Sequence, residues 1–292
     1  MKSQPEGVIR EDESPQNYCK RITKERAKNF YWAILTLPKD KRTAVYTIYT
    51  FARRCDDIAD SSWELSKKQE SLERERKKLK SLYNGERLGK LYKALGDTVE
   101  KYDIPRTYFE QLIRGVEMDL TKTRYSTFKD LKVYCFRVAS VVGLALIEIF
   151  GYDDYKAKKH AIDLGLGMQL TNIIRDVAED YNRGRIYVPE EDLKKFHCDF
   201  SEINANGANN QFKELMDYEA ARARGFFRSG KKLFAYLSPR NRACPAGLYG
   251  VYNKLLDKME ASGWQIWNQR TRLNTVRKVC AVLEQWLISL SR

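Results

Sequence analysis

The sequence predicts an all-α protein, built as a single-domain helical bundle. Three observations carry this. Apolar residues recur at three- and four-residue spacings along nearly the whole chain. No stretch alternates apolar and polar residues as a half-buried strand does. The 292 residues are enough to bury a substantial core, and no repeat of solenoid period divides them. Roughly ten helices joined by short connections follow from this pattern.

Residues 1–14 are polar and acidic and read as a disordered lead-in, leaving 15–292 as the domain. A first helix is expected over 15–33, closed before Leu37-Pro38 because a residue preceding proline is pushed out of helical geometry. The next covers 40–60, with Ala44, Ile48, Phe51 and Ala52 on its apolar side. Residues 64–84 interleave acids and bases around a sparse stripe of Leu65, Leu72, Leu79 and Leu82, the pattern of a solvated outer helix. Helices follow over 87–102 and over 105–120, the latter with Pro105 at its start. A long apolar helix spans 127–151 and contains Gly143, and another spans 153–181. Residues 183–189 form a loop, and Pro189 to Phe196 begins a short helix. Residues 199–211, rich in Asn, Ala and Gly, make a surface connection. Helices resume over 212–237, 241–261 and 272–290.

The chain carries 53 basic and 39 acidic residues, a net charge of +14. Such a surface attracts polyanions, namely nucleic acid, anionic headgroups or phosphorylated substrates. No nucleic-acid-binding motif accompanies the charge, so nucleic acid is not an expected partner. The longest apolar-rich stretch, Val138 to Phe150, is interrupted by Ser140, Gly143 and Glu148. It falls short of the roughly 20 residues that a membrane span needs. Met1 to Ser14 holds no signal-peptide core. A cytoplasmic protein is expected, its basic face able to rest on a membrane surface. Cys19, Cys55, Cys135, Cys198, Cys244 and Cys280 are scattered singly and only two histidines exist, so neither a zinc site nor a disulfide framework is expected.

Two acidic clusters stand out: Asp56-Asp57-Ile58-Ala59-Asp60 and Asp176-Val177-Ala178-Glu179-Asp180. In each, aspartates four apart share one helical face. Stacked carboxylates repel each other, and a cation between them relieves this. Their hard oxygens suit Mg²⁺, which takes one or two carboxylates and completes its shell with water and substrate phosphate. Arg53 and Arg54 precede the first cluster, Arg175 the second, and Arg183 and Arg185 follow it. Guanidinium forks grip phosphate oxygens bidentately. Gln169, Asn172 and Asp176 lie on one face that continues to Asp180, while Leu170, Ile173, Ile174 and Val177 lie on others. A polar stripe facing a core costs free energy unless something polar fills it. Metal, water and diphosphate are the natural filler. In Tyr134-Cys135-Phe136-Arg137-Val138-Ala139-Ser140-Val141-Val142-Gly143, the small residues at 139, 140 and 143 let a bulky group approach or let the helix bend. A tyrosine beside an apolar wall can stabilise a developing cation or relay a proton.

These motifs resemble the squalene/phytoene synthase family, which joins two prenyl diphosphates head to head. The family pattern lies at 56–60, 134–139, 169–180 and 185–189, and the resemblance runs from about Arg26 to Arg270. It implies an isoprenoid-synthase-type bundle around a central apolar cavity. Asp56, Asp60, Asp176 and Asp180 would be the Mg²⁺ ligands, with Mn²⁺ as the substitute metal. Arg53, Arg175 and Arg185 would hold diphosphate oxygens. Gln169 and Asn172 would line the site. Tyr134 matches the tyrosine of the first half-reaction, and Tyr187, Tyr252 and Arg270 match positions near the diphosphates. One departure is Ala27-Lys28-Asn29-Phe30, where many members carry a Ser-x-Ser-Phe-type segment, and Asn29 is the candidate replacement.

The implied chemistry starts with diphosphate loss from one substrate, helped by Mg²⁺ and arginine, giving an allylic cation. The second substrate's double bond attacks its C1, and proton loss closes a cyclopropane. Helices 138–150 and 160–174 would form a dry wall around the cation. The segments 134–143 and Gly115-Val116-Glu117-Met118-Asp119 resemble bacterial hopanoid-pathway presqualene diphosphate synthases. This favours two farnesyl diphosphates as substrates, for squalene and hopanoid synthesis. The alternative is geranylgeranyl diphosphate and phytoene, for carotenoid synthesis. NADPH use is not expected, because no Gly-rich dinucleotide loop is present. A chain-elongating prenyl synthase would want a second Asp-Asp-x-x-Asp, and position 177 is Val. An inactive membrane-surface scaffold is disfavoured by the intact aspartates. Oligomeric state is left open.

Overall fold

Ser14 starts the first helix. Its hydroxyl accepts a hydrogen bond from the Asn17 amide at 3.2 Å, with Pro15 following as the first helical residue. The structure, a computed structural model, describes residues 12–27, 30–203 and 209–290. The end of the expected disordered lead-in is therefore ordered: Glu13 pairs with Arg21 at 2.9 Å and Ser14 is a cap. Residues 1–11 lie outside the described residues.

The helix expected over 15–33 is two pieces, α1 (Pro15–Arg26) and α2 (Tyr31–Ile34). Ala27 leaves helical geometry with ψ of 51°. Lys28 and Asn29, the point of departure from the family pattern, lie outside the described residues. α3 (Lys39–Ala59) buries Ala44, Ile48 and Phe51 on the expected side. α4 (Leu65–Tyr83) is the charged outer helix and buries Leu72, Leu79 and Leu82. Leu65, its first residue, is exposed rather than part of the stripe. α5 (Gly89–Tyr102) and α6 (Arg106–Thr121) follow, Pro105 capping the latter.

The long apolar helix is a continuous rod with one π-turn inside it: α7 (Phe128–Cys135), the π-turn Phe136–Ser140, and α8 (Val141–Phe150). Thr127 and Asp130 form a capping box at its start. Because the π-turn does not break it, the rod is long and apolar enough to cross a membrane, unlike the shorter stretch counted from sequence. Here it is a central helix of the bundle, with Leu131, Tyr134, Val141, Ile147 and Phe150 buried. Against it lies α9 (Lys156–Asn182). The two backbones meet where a Cβ on Gly165 would sit 2.7 Å from Ser140 Cα, and the Ser140 hydroxyl donates to the Ile162 carbonyl at 2.8 Å. Of the small residues at 139, 140 and 143, Ala139 and Ser140 lie in the π-turn and Ser140 is the point of closest approach to α9.

α10 (Glu190–Lys195) and α11 (Asn210–Gly230) are followed by a 3₁₀ segment over Lys231–Tyr236. α12 (Pro239–Ala261) and α13 (Thr275–Leu290) complete the described chain. One hydrophobic cluster, from Tyr18 to Val282, draws on nearly all of these helices. The fold is all-α, and the one extended pairing among the described residues is an isolated parallel bridge between Arg124 and Ile186. All six cysteines are unbridged.

Candidate active site

Two helices point their C-terminal ends into one polar chamber of about 260 Å³. Asp56 lies in the last turn of α3, and Asp60 caps it, its amide donating to the Asp56 carbonyl at 2.9 Å. Asp176 and Asp180 occupy the last two turns of α9. A helix C-terminus already carries partial negative charge, so four carboxylates there favour a cation, with arginines at the chamber's edge offsetting part of that charge. Arg53, Tyr134, Gln169, Asn172, Arg175, Arg185 and Tyr187 line the same chamber, and Arg183 joins them. Arg54 does not: its guanidinium turns away to Glu75 at 2.7 Å.

The charges are unevenly matched. Burial pushes Asp56 up to about 7, with Arg53 opposing and Asp60 adding to the rise. Burial and the neighbouring Asp176 charge likewise push Asp180 to about 7. Asp176 goes the other way. Burial opposes its ionisation, but Arg175 and Arg270 outweigh it and hold the carboxyl below its ordinary value. Arg175 Nε donates to Asp176 Oδ1 at 2.8 Å, and Arg270 Nε reaches the same oxygen at 2.7 Å. Arg270 also meets Glu179 at 3.3 Å, tying the segment before α13 to α9. Arg53 Nε is held by Asp57 Oδ1 at 2.8 Å, which explains the aspartate of the first cluster that does not line the chamber.

The loop 183–189 delivers two more residues by simple alternation. Gly184 adopts φ of +75°, letting the chain turn back so that the Arg185 amide reaches the Asp180 carbonyl at 2.9 Å. The Ile186 amide then bonds Thr123, and its neighbours Arg185 and Tyr187 both face the chamber. They meet a residue that the sequence reading did not assign to the site, Asp119 near the end of α6. Asp119 accepts from the Tyr134 hydroxyl at 2.9 Å and from the Tyr187 hydroxyl at 2.7 Å, and Arg185 donates to its backbone carbonyl at 2.9 Å. Burial raises the Asp119 carboxyl despite these bonds. Burial and then the Asp119 charge raise Tyr134 well above its ordinary value. The Tyr134 and Tyr187 rings stack with centroids 5.1 Å apart. The sequence marks Asp119 only as the last residue of the 115–119 segment, with no role in the site.

Beyond Arg53, Asp56, Gln169, Asn172 and Arg175, which line both spaces, the chamber gives way to an apolar cavity of about 610 Å³. Val138, Ala139, Val142 and Leu146 form one wall and Leu164, Gly165 and Met168 another, the two helices expected to do so. Tyr252 and Arg270, absent from the chamber lining, line this cavity. Tyr252 is buried beside Asn172 and Arg175.

Among the described residues, no three Asp, Glu, His or Cys side chains already converge as a metal cage. The donor set nevertheless fits Mg²⁺, which needs few protein oxygens when phosphate and water supply the rest. The Asn172 Oδ1, buried with no hydrogen-bond donor, adds an unsatisfied oxygen at the same place. Asp56, Asp60, Asp176 and Asp180 are the residues able to hold such an ion.

The squalene/phytoene synthase family model matches residues 23–277. The chain is 34% identical to a phytoene synthase of Arthrospira platensis over 281 residues, covering 91% of each chain. It is 33% identical to a 15-cis-phytoene synthase of Synechocystis sp. over 288 residues, covering 94% of this chain and 85% of that one. Among solved structures, a ligand-bound dehydrosqualene synthase superposes with a TM-score of 0.89 at 28% identity, covering 95% of this chain and 97% of the other. The squalene synthase HpnC of Alicyclobacillus acidocaldarius superposes with a TM-score of 0.80 at 26% identity, covering 86% and 95%. The bundle is therefore of the isoprenoid synthase type, and the protein is an enzyme of the prenyltransferase type. The chain belongs to the squalene/phytoene synthase family.

Proposed function

We propose that the protein condenses two farnesyl diphosphates head to head, releasing one diphosphate and one proton and forming presqualene diphosphate. The observation that carries the head-to-head reading is the junction of one cation-binding, arginine-edged chamber with one apolar cavity through five shared residues. Charged heads and prenyl tails have separate, adjoining places there. The fifteen-carbon choice rests on the 134–143 and 115–119 segments. The 33–34% identity to phytoene synthases favours the twenty-carbon reading, in which geranylgeranyl diphosphate gives phytoene.

Asp56, Asp60, Asp176 and Asp180 would hold Mg²⁺, which when bound neutralises the departing diphosphate as a Lewis acid. Arg53, Arg175 and Arg185 orient the diphosphate oxygens, and Asp57 keeps the Arg53 fork in place. Gln169 and Asn172 position the heads at the junction. As the C1–O bond of the first substrate breaks, the Val138–Leu146 and Leu164–Met168 walls exclude water from the allylic cation. The second substrate's double bond attacks C1. Ring closure then requires loss of a proton, and Tyr134, held by Asp119, stands at the chamber side of the tails with its hydroxyl fixed.

Incubation of the purified protein with Mg²⁺ and either prenyl diphosphate, with and without NADPH, separates the readings by mass spectrometry. A thirty-carbon cyclopropyl diphosphate, unaffected by NADPH, is the expected product. Phytoene from geranylgeranyl diphosphate would move the protein to carotenoid synthesis with the same site. No coupled product from either substrate would sink the reading.

A further inference from the structure

α13 is apolar on two opposite faces. Ala281 and Val282 pack inward, while Val276, Cys280, Leu283 and Leu287 are exposed. Those four stand at i, i+4, i+7 and i+11, a single stripe along the outside of the bundle. Trp286 and Ile288, also exposed, flank it. Ile288 and Gln285 continue into a hollow lined by Arg228, Lys231, Lys232 and Arg242, with no carboxylate in its wall. The same helix borders the apolar cavity. Lys278 lines that cavity together with Arg270, Thr271, Arg272 and Leu273, the segment leading into α13.

We propose that the outer face of α13 and the basic hollow beside it dock on an anionic lipid bilayer. An apolar stripe with a tryptophan at its flank and cations beside it matches a helix lying in the membrane interface. The net charge of +14 supplies the long-range attraction. A second copy of this chain fits less well, because a two-fold contact through this face would bring its own cationic hollow towards the other copy's. The docking does not depend on the function proposed above.

The test is co-sedimentation of the full chain, without substrate, with phosphatidylcholine vesicles containing or lacking phosphatidylglycerol. Preferential binding to the anionic vesicles is expected, weakening as salt is raised. Replacing Lys231 and Lys232 together by glutamate should lower partitioning by more than about tenfold. Leu283→Asp with Leu287→Asp should do the same, while circular dichroism and turnover on soluble substrate stay at wild-type level. Wild-type partitioning in either double variant would overturn the proposal. So would a concentration-dependent doubling of mass in lipid-free buffer that the leucine variant abolishes, since the face would then belong to a second copy. Because partitioning is read without substrate, it succeeds or fails independently of the reaction.

Discussion

Tyr134 donates its hydroxyl hydrogen to Asp119 Oδ2 at 2.9 Å, inside the chamber that also holds the four aspartates. The bond joins α7 to α6 just before the π-turn, so the phenol is fixed in direction as well as position. If Tyr134 acts as proposed, its partner matters nearly as much as its hydroxyl. Tyr134→Phe and Asp119→Asn should each slow formation of the cyclopropyl intermediate by about 10²-fold. The double variant should be little worse than the slower single one, because the two groups act as a unit. Rapid-quench rates that are unchanged in Tyr134→Phe would remove this tyrosine from the first half-reaction.

Asp60→Asn and Asp176→Asn should each lower turnover by more than about 10²-fold, since a carboxamide neither balances a divalent ion nor restores the charge. Far-UV circular dichroism should remain that of the wild-type helical bundle. Asp176 carries the sharper expectation. It is shared by Arg175 and Arg270, so its replacement also loosens both guanidinium groups, Arg270 keeping its contact with Glu179. Its apparent affinity for diphosphate, measured by product inhibition, should change more than that of Asp60→Asn. Near-normal turnover in either variant would remove that residue from the metal site.

How much of this was legible follows from where the information lies. Asp56, Asp60, Asp176 and Asp180 were visible because helical periodicity alone puts i and i+4 on one face. The dry wall was visible for the same reason. Asp119 was not, because its importance comes from α6 crossing the loop 183–189, and no local pattern records that crossing. The pairing of Asp176 with Arg270 lay equally out of reach, since 94 residues separate them. The break between α1 and α2 leaves no mark in the pattern, because Tyr31, Ala33 and Ile34 resume a helix-like apolar run just beyond it. The π-turn could be anticipated only as a bend, since an extra residue per turn leaves no clear compositional mark.

Glu75 gives a pH signature that is independent of catalysis. It is buried, accepts from Arg54 Nη2 at 2.9 Å and from the Tyr92 hydroxyl at 2.7 Å, and lies near Lys78. Burial opposes its charge, but Arg54, Tyr92 and Lys78 outweigh it and hold the carboxyl below its ordinary 4.5. A carboxyl depressed in the folded state stabilises that state above its unfolded value, and this is lost as pH falls through the lower folded value. Glu75→Gln should therefore cost about 3 kcal/mol near neutral pH, the range for breaking a buried pair. Thermal unfolding should show the gap to wild type closing as the pH drops below about 4. A gap that stays constant to acid pH would mean that the charge of Glu75 is not what stabilises the bundle.

α3 also measures the length of the tail cavity. Asp56 stands at its chamber end, while Val45, on the same helix, lines the cavity eleven residues earlier. At the helical rise this separates them by about 16 Å. A prenyl chain with its diphosphate at Asp56 therefore runs toward Val45, and a larger side chain there shortens the space from the far end. Val45 belongs to the buried core but borders the open cavity, so the added ring of Val45→Phe has space to enter and folding should be kept. Its effect should fall on the longer substrate first. The ratio of geranylgeranyl to farnesyl diphosphate turnover should drop about tenfold, the discrimination an apolar pocket achieves by size. If both substrates slow equally in Val45→Phe, the tails do not run along α3. If neither slows, they end short of it, and the wall that sets chain length must be sought on α8 or α12.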